Sequence, residues 1–282
     1  MTAPSFINTG FAFASVAAAT DVQNIIDAVN TMLTSTLSAA ATGVYPNGER
    51  WSLSGAGPYV FTAPSDNGGR FMKVTLTRTT QFRLEFKFED PSGVLCDGEI
   101  DIANPGPTPV NIFGGPGHLT IESINAGTRE TAQAFLTDPT PEPMASSAVY
   151  VYGRVFRDTA GVVVTNRANS DFWAGRYRGG TTTGTTLYQM GCRPTSQSYD
   201  GVNCHLRTQA GSDVVAPYYI GSDTASFGAT WLNGNKAYMH IAVDVNNAPG
   251  SILTVPIDIG ITGTFYVLGL SDGSVAMAVR KT

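Results

Sequence analysis

The sequence predicts a mainly β fold, built as one or more antiparallel β-sandwich modules with an extended N-terminal arm and one N-terminal helix. Three observations lead to this prediction. The apolar side chains of residues 21–38 recur at helical spacing. From Val44 onward, short alternating segments stand between Gly, Pro and Asn residues, as in all-β folds. No period of about 20 to 50 residues repeats along the chain, which argues against a solenoid or a propeller.

The composition narrows the class of protein. The chain has 282 residues, a net charge of −5 and 14% charged side chains, against about 25% in an average soluble domain. Its 42% hydrophobic content excludes intrinsic disorder. The acidic balance excludes a basic nucleic-acid binder, so we expect no sequence-specific nucleic-acid partner. No apolar run approaches the roughly 18 residues of a membrane span, so we expect no membrane insertion.

The first twenty residues form the predicted arm. They mix small and aromatic side chains without a regular period. No Lys or Arg precedes the apolar stretch 11–19, whereas a secretion signal begins with basic residues, so we expect the arm to be retained. Phe6, Phe11 and Phe13 are its candidate contacts with another subunit.

The helix is predicted over residues 21–38. Thr20 is a suitable N-cap, Asp21 suits the positive end of the helix dipole, and Gln23 occupies the capping-box position. The side of the helix opposite its apolar stripe is nearly uncharged. That stripe packs either on the protein's own sheet or against neighbouring subunits, and the pattern leaves both open. Its members are Val22, Ile25, Ile26, Val29, Met32 or Leu33, and Leu37.

The strands follow from alternation and turns. In residues 82–89, four aromatic or aliphatic side chains alternate with four charged ones, so one face of this strand is apolar. Asp90-Pro91-Ser92-Gly93 then closes a hairpin. The same reasoning predicts strands at 50–53, 59–62, 71–77, 94–102, 110–113, 118–124, 148–157, 162–167, 237–245, 251–257, 263–270 and 274–281.

Three alternating prolines at 139, 141 and 143 favour an extended backbone and exclude a helix interior or a central strand. We therefore predict four segments. They are an arm and helix at 1–44, a β domain at 45–137, a Pro-rich linker at 138–147 and a second β domain at 148–282.

The sequence contains no recognisable catalytic or metal-binding set. None of the three histidines, His118, His205 and His240, lies in a nucleophile motif. Cys204 and His205, with Cys192, lack the clear fourth ligand of a zinc site. We predict no catalytic residue, no metal site and no cofactor, and therefore a non-enzymatic protein.

Asp97, Glu99 and Asp101 alternate, so their carboxylates share one face of a strand. Carboxylates placed in this way can hold Ca²⁺ or perform acid/base chemistry on a glycan, so a glycan hydrolase stays open as an alternative. We interpret them as a solvent-facing set that pairs with Arg83 across the hairpin.

The three cysteines are an odd number, which suits free thiols in a reducing compartment. The alternative is a loop disulfide between Cys192 and Cys204, which leaves Cys96 to pair across a subunit boundary.

Thirteen of the seventeen basic residues are Arg, the cation that is favoured at interfaces. The densest group of Arg and aromatic side chains is a candidate subunit contact or sugar-stacking platform; an ordinary edge strand is equally compatible with it. The members of this group are Phe172, Trp173, Arg176, Tyr177 and Arg178.

The passages Tyr-Pro-Asn-Gly-Glu-Arg-Trp at 45–51 and Gly-Pro-Tyr-Val-Phe-Thr-Ala-Pro at 57–64 follow an arm and a short helix, and they lead into low-charge β segments rich in Gly, Thr and Asn. In this the chain resembles structural proteins of tailed-bacteriophage virions. The resemblance implies a head, neck, collar, tail or baseplate component, made in the bacterial host cytoplasm and located in the virion. It implies a homo-oligomer that contacts other virion proteins, and it carries over no catalytic residue.

The alternative to a structural virion protein is a carbohydrate-binding β-sandwich that attaches to a host-surface glycan. Its stacking surfaces would then be Trp51, Trp173, Trp231 or nearby Tyr side chains.

Overall fold

A computed structural model describes the chain in segments. For the strands between residues 149 and 244 it describes the backbone alone. The described residues are 10–66, 69, 71–90, 93–104, 106–125, 128–136, 149–153, 173–178, 187–192, 216–217, 220–224, 228–233, 240–244, 247–258, 261–271 and 275–282.

The chain divides into two compact units. Among the described residues, the N-terminal unit contains 10–136 and 149–153, and the C-terminal unit contains those from 173 onward. The predicted linker at 138–147 and the predicted strand at 162–167 lie outside the described residues, and the division into four segments stays a prediction.

The N-terminal unit contains two antiparallel sheets and the helix. One sheet has the strand order β1-β7-β8-β9-β10 and the other has the order β2-β3-β4-β5-β6. The mainly β fold, its antiparallel sheets and its N-terminal helix are confirmed. The elements are β1 (Ala12–Ala19), α1 (Val22–Thr31), β2 (Ser52–Ser54), β3 (Tyr59–Thr62), β4 (Lys73–Arg78), β5 (Arg83–Asp90), β6 (Gly93–Asp101), β7 (Thr108–Gly115), β8 (His118–Asn125), β9 (Thr128–Leu136) and β10 (Val149–Gly153).

Helix α1 packs on sheets of its own chain. It contacts β1 and β7 of one sheet and β4 of the other, which agrees with docking on the protein's own sheet. The helix ends at Thr31 and continues as a π-helical turn, Met32–Thr36, so the predicted helix to residue 38 is too long. All members of the predicted apolar stripe are at most 2% exposed: Val22, Ile25, Ile26, Val29, Met32, Leu33 and Leu37.

The start of the helix forms hydrogen bonds to the end of β4 and to the β4–β5 turn. The N-cap is Asp21, whose Oδ1 accepts a hydrogen bond from the Gln23 amide at 2.8 Å, so the prediction of Thr20 as the cap is wrong. The Arg78 guanidinium donates to both Asp21 oxygens at 2.9 and 2.8 Å. The Val22 amide donates to the Gln81 carbonyl at 2.9 Å. These long-range partners fix where the helix begins.

The β5–β6 hairpin forms as its alternation predicts. Leu84, Phe86 and Phe88 are at most 1% exposed, and Asp90 pairs with Gly93 across the predicted turn. Strand β9 was not predicted, because small side chains occupy its apolar positions and give little hydrophobic contrast. Ala132 and Ala134 are nevertheless fully buried.

The C-terminal unit contains a sheet of order β13-β16-β19-β18-β17 and two hairpins, β11–β12 and β14–β15. Its last strands agree with the predicted alternation, and Phe265, Val267 and Val279 are fully buried there. Burial lowers the pKa of Arg280 in β19 to about 10. The elements are β11 (Trp173–Arg178), β12 (Leu187–Cys192), β13 (Ala216–Pro217), β14 (Ile220–Thr224), β15 (Gly228–Asn233), β16 (His240–Asp244), β17 (Ile252–Asp258), β18 (Ile261–Ser271) and β19 (Val275–Arg280).

Within the described segments, no helix has both the length and the apolar character needed to cross a bilayer.

Gly48 provides a first test of the loop that follows the helix. Its φ is +88°, and a Cβ at this position would lie 2.5 Å from the Ala39 carbonyl oxygen. We expect Gly48→Ala to lower the free energy of unfolding by about 1–3 kcal/mol, because both the backbone angle and the backbone contact oppose a side chain. Urea unfolding measures this change.

Gly43→Ala is the matched control, because a Cβ there meets nothing within 4 Å and its φ lies outside the left-handed region. Its effect should stay within about 0.5 kcal/mol. Equal effects of the two substitutions would contradict the assignment of strain to Gly48.

Candidate functional site

The N-terminal segment forms an edge of a sheet. Strand β1 stands at the end of the strand order and pairs antiparallel with β7, from Ala12 opposite Gly114 to Ala19 opposite Thr108. Neither β1 nor β7, each eight residues long, contains an ionisable side chain. Ser15, Ala17 and Ala18 are exposed. Natural sheet edges are protected from pairing with another chain by charges, prolines or β-bulges. Strand β1 has no charge and no proline, and its register with β7 shifts between Val16 and Ala19. We call strands β1 and β7 the uncharged edge.

Strand β6, at one edge of the second sheet, is charged. Arg83 in β5 lies 3.3 Å from Glu99 and 3.2 Å from Asp101 in the edge strand β6. The hydrogen bond to Asp101 is the main cause that raises the pKa of Arg83. The expected pairing of these acids with Arg83 is therefore confirmed for Glu99 and Asp101, while the Asp97 side chain lies outside the described residues.

Strand β6 also forms hydrogen bonds to the other sheet. The Asp101 amide donates to Glu130 at 3.1 Å, and the Ser123 hydroxyl donates to the Asp101 carbonyl at 3.0 Å. Ser123 and Glu130 are register partners on β8 and β9, so two neighbouring side chains satisfy both backbone groups of one residue. The carboxylates of this region thus have structural partners.

Three consecutive side chains bond to the segment before β1, to the end of the helix and to the end of β7; we call Glu49, Arg50 and Trp51 the clamp. Glu49 is 2% exposed, and its two carboxylate oxygens accept from the Gly10 amide at 3.2 and 3.1 Å, immediately before β1. A Cβ at Gly10 would collide with Glu49 Oε2 unless the Glu49 carboxylate moved.

The other two side chains of the clamp reach the helix and the sheet. Arg50 donates to the Leu37 carbonyl at 2.7 Å and to the Ser35 carbonyl at 2.9 Å, where the π-helical turn leaves carbonyls without intrahelical partners. Trp51 is 3% exposed, and its indole N–H donates to the Gly115 carbonyl at 2.8 Å, at the end of β7. The clamp therefore joins the arm, the helix end and the sheet.

The loop before the clamp folds through local hydrogen bonds. The Gly48 amide donates to the Tyr45 carbonyl at 3.1 Å, which closes the predicted turn at 45–48. The Thr42 hydroxyl accepts from the Tyr45 amide at 2.9 Å, and the Glu49 amide donates to the Ser38 carbonyl at 2.8 Å. The turn thus orients the three clamp side chains toward different elements.

Sequence reasoning missed a buried polar row on β8 and β9. His118 Nε2 and Thr120 Oγ1 lie 2.8 Å apart, and the Thr120 hydroxyl donates to Gln133 at 3.1 Å. On the same strands Arg129 donates to Glu122 at 3.0 Å, and Glu122 is fully buried. The available signal was the recurrence of polar side chains at every second position of two adjacent segments. Among the described residues, no group of three His, Cys, Asp or Glu could hold a metal ion.

The predicted interface residues lie in different places. The Phe13 ring contacts Phe113 of its own chain at 5.1 Å between centroids, and Phe11 is half-buried. Phe6 and Phe172 lie outside the described residues, as does Cys204 of the predicted disulfide.

The Arg and aromatic group lies on β11 of the C-terminal unit, where Trp173 pairs with Cys192 and the backbone alone is described. Arg176, Tyr177 and Arg178 belong to the same strand. Their contact role stays a prediction. Trp51 is buried, so naming it as a glycan-stacking surface is wrong: its indole is occupied by the Gly115 carbonyl.

Comparison with known proteins adds no family assignment. No protein-family model matches the sequence, and no curated protein matches it either. The proposed function therefore rests on the residues of the chain and their geometry.

Trp51→Phe tests the clamp at the sheet. The substitution removes the N–H that satisfies the buried Gly115 carbonyl and shortens the ring. We expect the free energy of unfolding to fall by about 1–3 kcal/mol. Urea unfolding should show this fall, whereas Ser52→Ala at the exposed neighbouring position should change stability by less than about 0.5 kcal/mol. An unchanged Trp51→Phe variant would contradict the clamp.

The buried carboxyl group of Glu49 should make the free energy of unfolding depend on pH. Burial raises the pKa of Glu49 above its ordinary 4.5 and outweighs the opposite effect of the Gly10 amide. The folded state therefore binds the proton more tightly than the unfolded state, and the contribution of Glu49 to stability falls as pH rises from 4.5 through the folded pKa. We expect the unfolding free energy of Glu49→Gln minus that of the wild type to increase across this range.

Asp21→Asn is the control of opposite sign. The hydrogen bond from Arg78 lowers the pKa of Asp21 below 3.8, so its contribution is present above that pH and is lost as pH falls. Urea titrations at a series of pH values measure both differences. A flat or falling difference for Glu49→Gln would refute the assignment.

Proposed function

We propose that the protein is a non-enzymatic structural component of a tailed-bacteriophage virion, in the head, neck, collar, tail or baseplate. It is made in the bacterial host cytoplasm and acts in the virion, as a homo-oligomer that also contacts other virion proteins. The observation that carries this proposal is the uncharged edge, held in position by the clamp.

A sheet edge of this kind suits repeated assembly. A strand that adds to an exposed edge gains main-chain hydrogen bonds whatever its sequence, and small side chains on the edge allow close approach. The edge is also hydrogen-bonded within the chain before contact, because Gly10 precedes β1 and is bonded to Glu49, while Ser15 in β1 bonds to Asn111 of β7 at 3.2 Å. Less ordering is then needed on association.

The passage that carries the resemblance to virion proteins has a specific role in this arrangement. Residues 45–51 contain the turn and all three members of the clamp. Through the bond between Glu49 and Gly10, this motif contacts the arm, and an assembly protein needs its arm in a defined position.

The partners of the buried acids support a structural role. Glu49 accepts from the Gly10 amide, Glu122 from Arg129 and Glu130 from the Asp101 amide. Catalysis would instead favour several titratable groups that converge on one accessible point. We therefore favour a non-enzymatic protein over a glycan hydrolase.

The test is the composition of phage particles from a bacterium that expresses the chain. Particles purified by density gradient are analysed by mass spectrometry and by immunogold electron microscopy with an antibody to the chain. We expect the chain in intact particles at a constant number of copies, with gold on one virion substructure. A host cytoplasmic protein of similar abundance is the control for carry-over.

Recovery of the chain only in the particle-free fraction, while known particle proteins sediment normally, would overturn the proposal. Deletion of its gene adds a second readout, because particles lacking the chain should be incomplete and a plasmid copy should restore them.

A further inference from the structure

We propose that Asn47 is a site of spontaneous covalent modification that the fold controls. When the turn at 45–48 opens, the main-chain nitrogen of Gly48 attacks the side-chain amide of Asn47, and the products are aspartate and isoaspartate. This inference goes beyond the proposed function and does not rest on it, because the reaction needs only the residues of the turn, water and hydroxide.

The reaction follows from the Asn-Gly dipeptide. The Gly48 nitrogen gives its proton to hydroxide and forms a bond to Cγ of Asn47, and the side-chain nitrogen takes a proton from water and leaves as ammonia. Water then opens the resulting succinimide ring. Breaking the bond from the ring nitrogen to Cγ leaves aspartate, and breaking its bond to the main-chain carbonyl carbon leaves isoaspartate. Glycine favours the attack, because it has no Cβ to hinder its nitrogen.

The structure gives the two residues of this dipeptide different environments. Asn47 is exposed, so water and hydroxide reach its side-chain amide. Gly48 is buried, so the residue that supplies the nucleophile is enclosed by protein. The electrophile is therefore available in the folded chain, and access to the nucleophile decides the rate.

Two contacts of Gly48 oppose the attack in the folded chain. Its amide donates to the Tyr45 carbonyl at 3.1 Å, so the proton that must leave is held in a hydrogen bond. A Cβ on Gly48 would lie 2.5 Å from the Ala39 carbonyl oxygen, which shows how closely the two main chains pack. Ring closure requires rotation about the Cα–C bond of Asn47, and this rotation displaces Gly48 from both contacts.

Further hydrogen bonds stabilise the turn on both sides of the dipeptide. Tyr45 is 1% exposed, and its amide donates to the Thr42 hydroxyl at 2.9 Å. The Thr42 amide donates to the Tyr45 carbonyl at 2.9 Å, and the Glu49 amide donates to the Ser38 carbonyl at 2.8 Å. The reaction therefore proceeds from a locally opened state, and its rate is set by the population of that state.

The products change the chain next to the clamp. Aspartate at position 47 places a carboxylate two residues before Glu49, which is 2% exposed. Isoaspartate in addition lengthens the main chain by one methylene group between the turn and the clamp. Both changes disturb the segment that orients the clamp, so the modified chain should be less stable than the original.

The test compares the folded and the denatured full-length chain in mildly alkaline buffer, with guanidinium chloride as denaturant. Trypsin leaves Asn47 in the peptide 1–50 and the second Asn-Gly pair, Asn67-Gly68, in the peptide 51–70, so mass spectrometry follows each asparagine separately. We expect Asn47 to convert at least about tenfold more slowly in the folded chain than in the denatured chain. In the denatured chain, Asn47 and Asn67 should convert at similar rates.

Thr42→Val tests the control by the turn, because it removes the hydroxyl that accepts from the Tyr45 amide. Conversion of Asn47 in the folded variant should be faster by about threefold or more, and unchanged in guanidinium chloride. Thr31→Val makes the same change at an exposed position of α1 and should leave the rate as in the wild type. Circular dichroism establishes that both variants are folded.

Asn47→Gln is the chemical control, because its longer side chain would have to close a six-membered ring and should keep its amide. After the same incubation, urea unfolding should show a loss of stability in the wild type and none in this variant.

An Asn47 that keeps its amide in the denatured chain while Asn67 converts would overturn the site. Equal rates for Asn47 in the folded and denatured chain, or a folded Thr42→Val variant with the wild-type rate, would overturn the control by the turn.

Discussion

The hydrogen bonds of Glu49, Arg50 and Trp51 hold together parts of the N-terminal unit that are distant along the chain. Each of the three side chains bonds to a different element: the segment before β1, the end of the π-helical turn, and the end of β7. Helix α1 contacts β1 and β7, and Arg50 bonds to the Leu37 and Ser35 carbonyls beyond its end. The clamp therefore adds contacts at the ends of β1 and β7 to the main-chain pairing between these two strands.

A second constraint is that buried polar groups need partners. Two sets of contacts in the unit provide such partners, while Thr131 Oγ1 and Gln133 Nε2 are buried without a hydrogen bond among the described residues. Between its sheets, Ser123 and Glu130 satisfy the backbone of Asp101, so a polar contact joins β6 to β8 and β9. On the opposite face of β8 and β9, His118 lies within hydrogen-bonding distance of Thr120, and Glu122 pairs with Arg129. Leaving a buried polar group unpaired costs about 1–3 kcal/mol, so these pairs restrict the register of the strands.

The two sheets of the unit differ in how their edges meet solvent. Charged side chains cover β5 and β6, where Arg83 bridges two acids. The β1 edge has small, uncharged side chains, and its neighbouring acids are engaged within the chain. The two edges thus differ in charge, and β6 is also hydrogen-bonded to β8 and β9.

The sequence by itself determined the elements whose signal is local. The helical stripe from Val22 to Leu37 is buried as predicted, and the alternation in β5 places Phe86 and Phe88 inside. Only the tertiary structure decided the rest. The helix begins after Asp21, where Arg78 bonds to the Asp21 carboxylate and the Gln81 carbonyl accepts from the Val22 amide. Residues 12–19 become a strand because the distant strand β7 pairs with them. The roles of Glu49 and Trp51 likewise depend on Gly10 and Gly115. Periodicity reports what neighbouring residues prefer, whereas these contacts arise only when distant segments pack together.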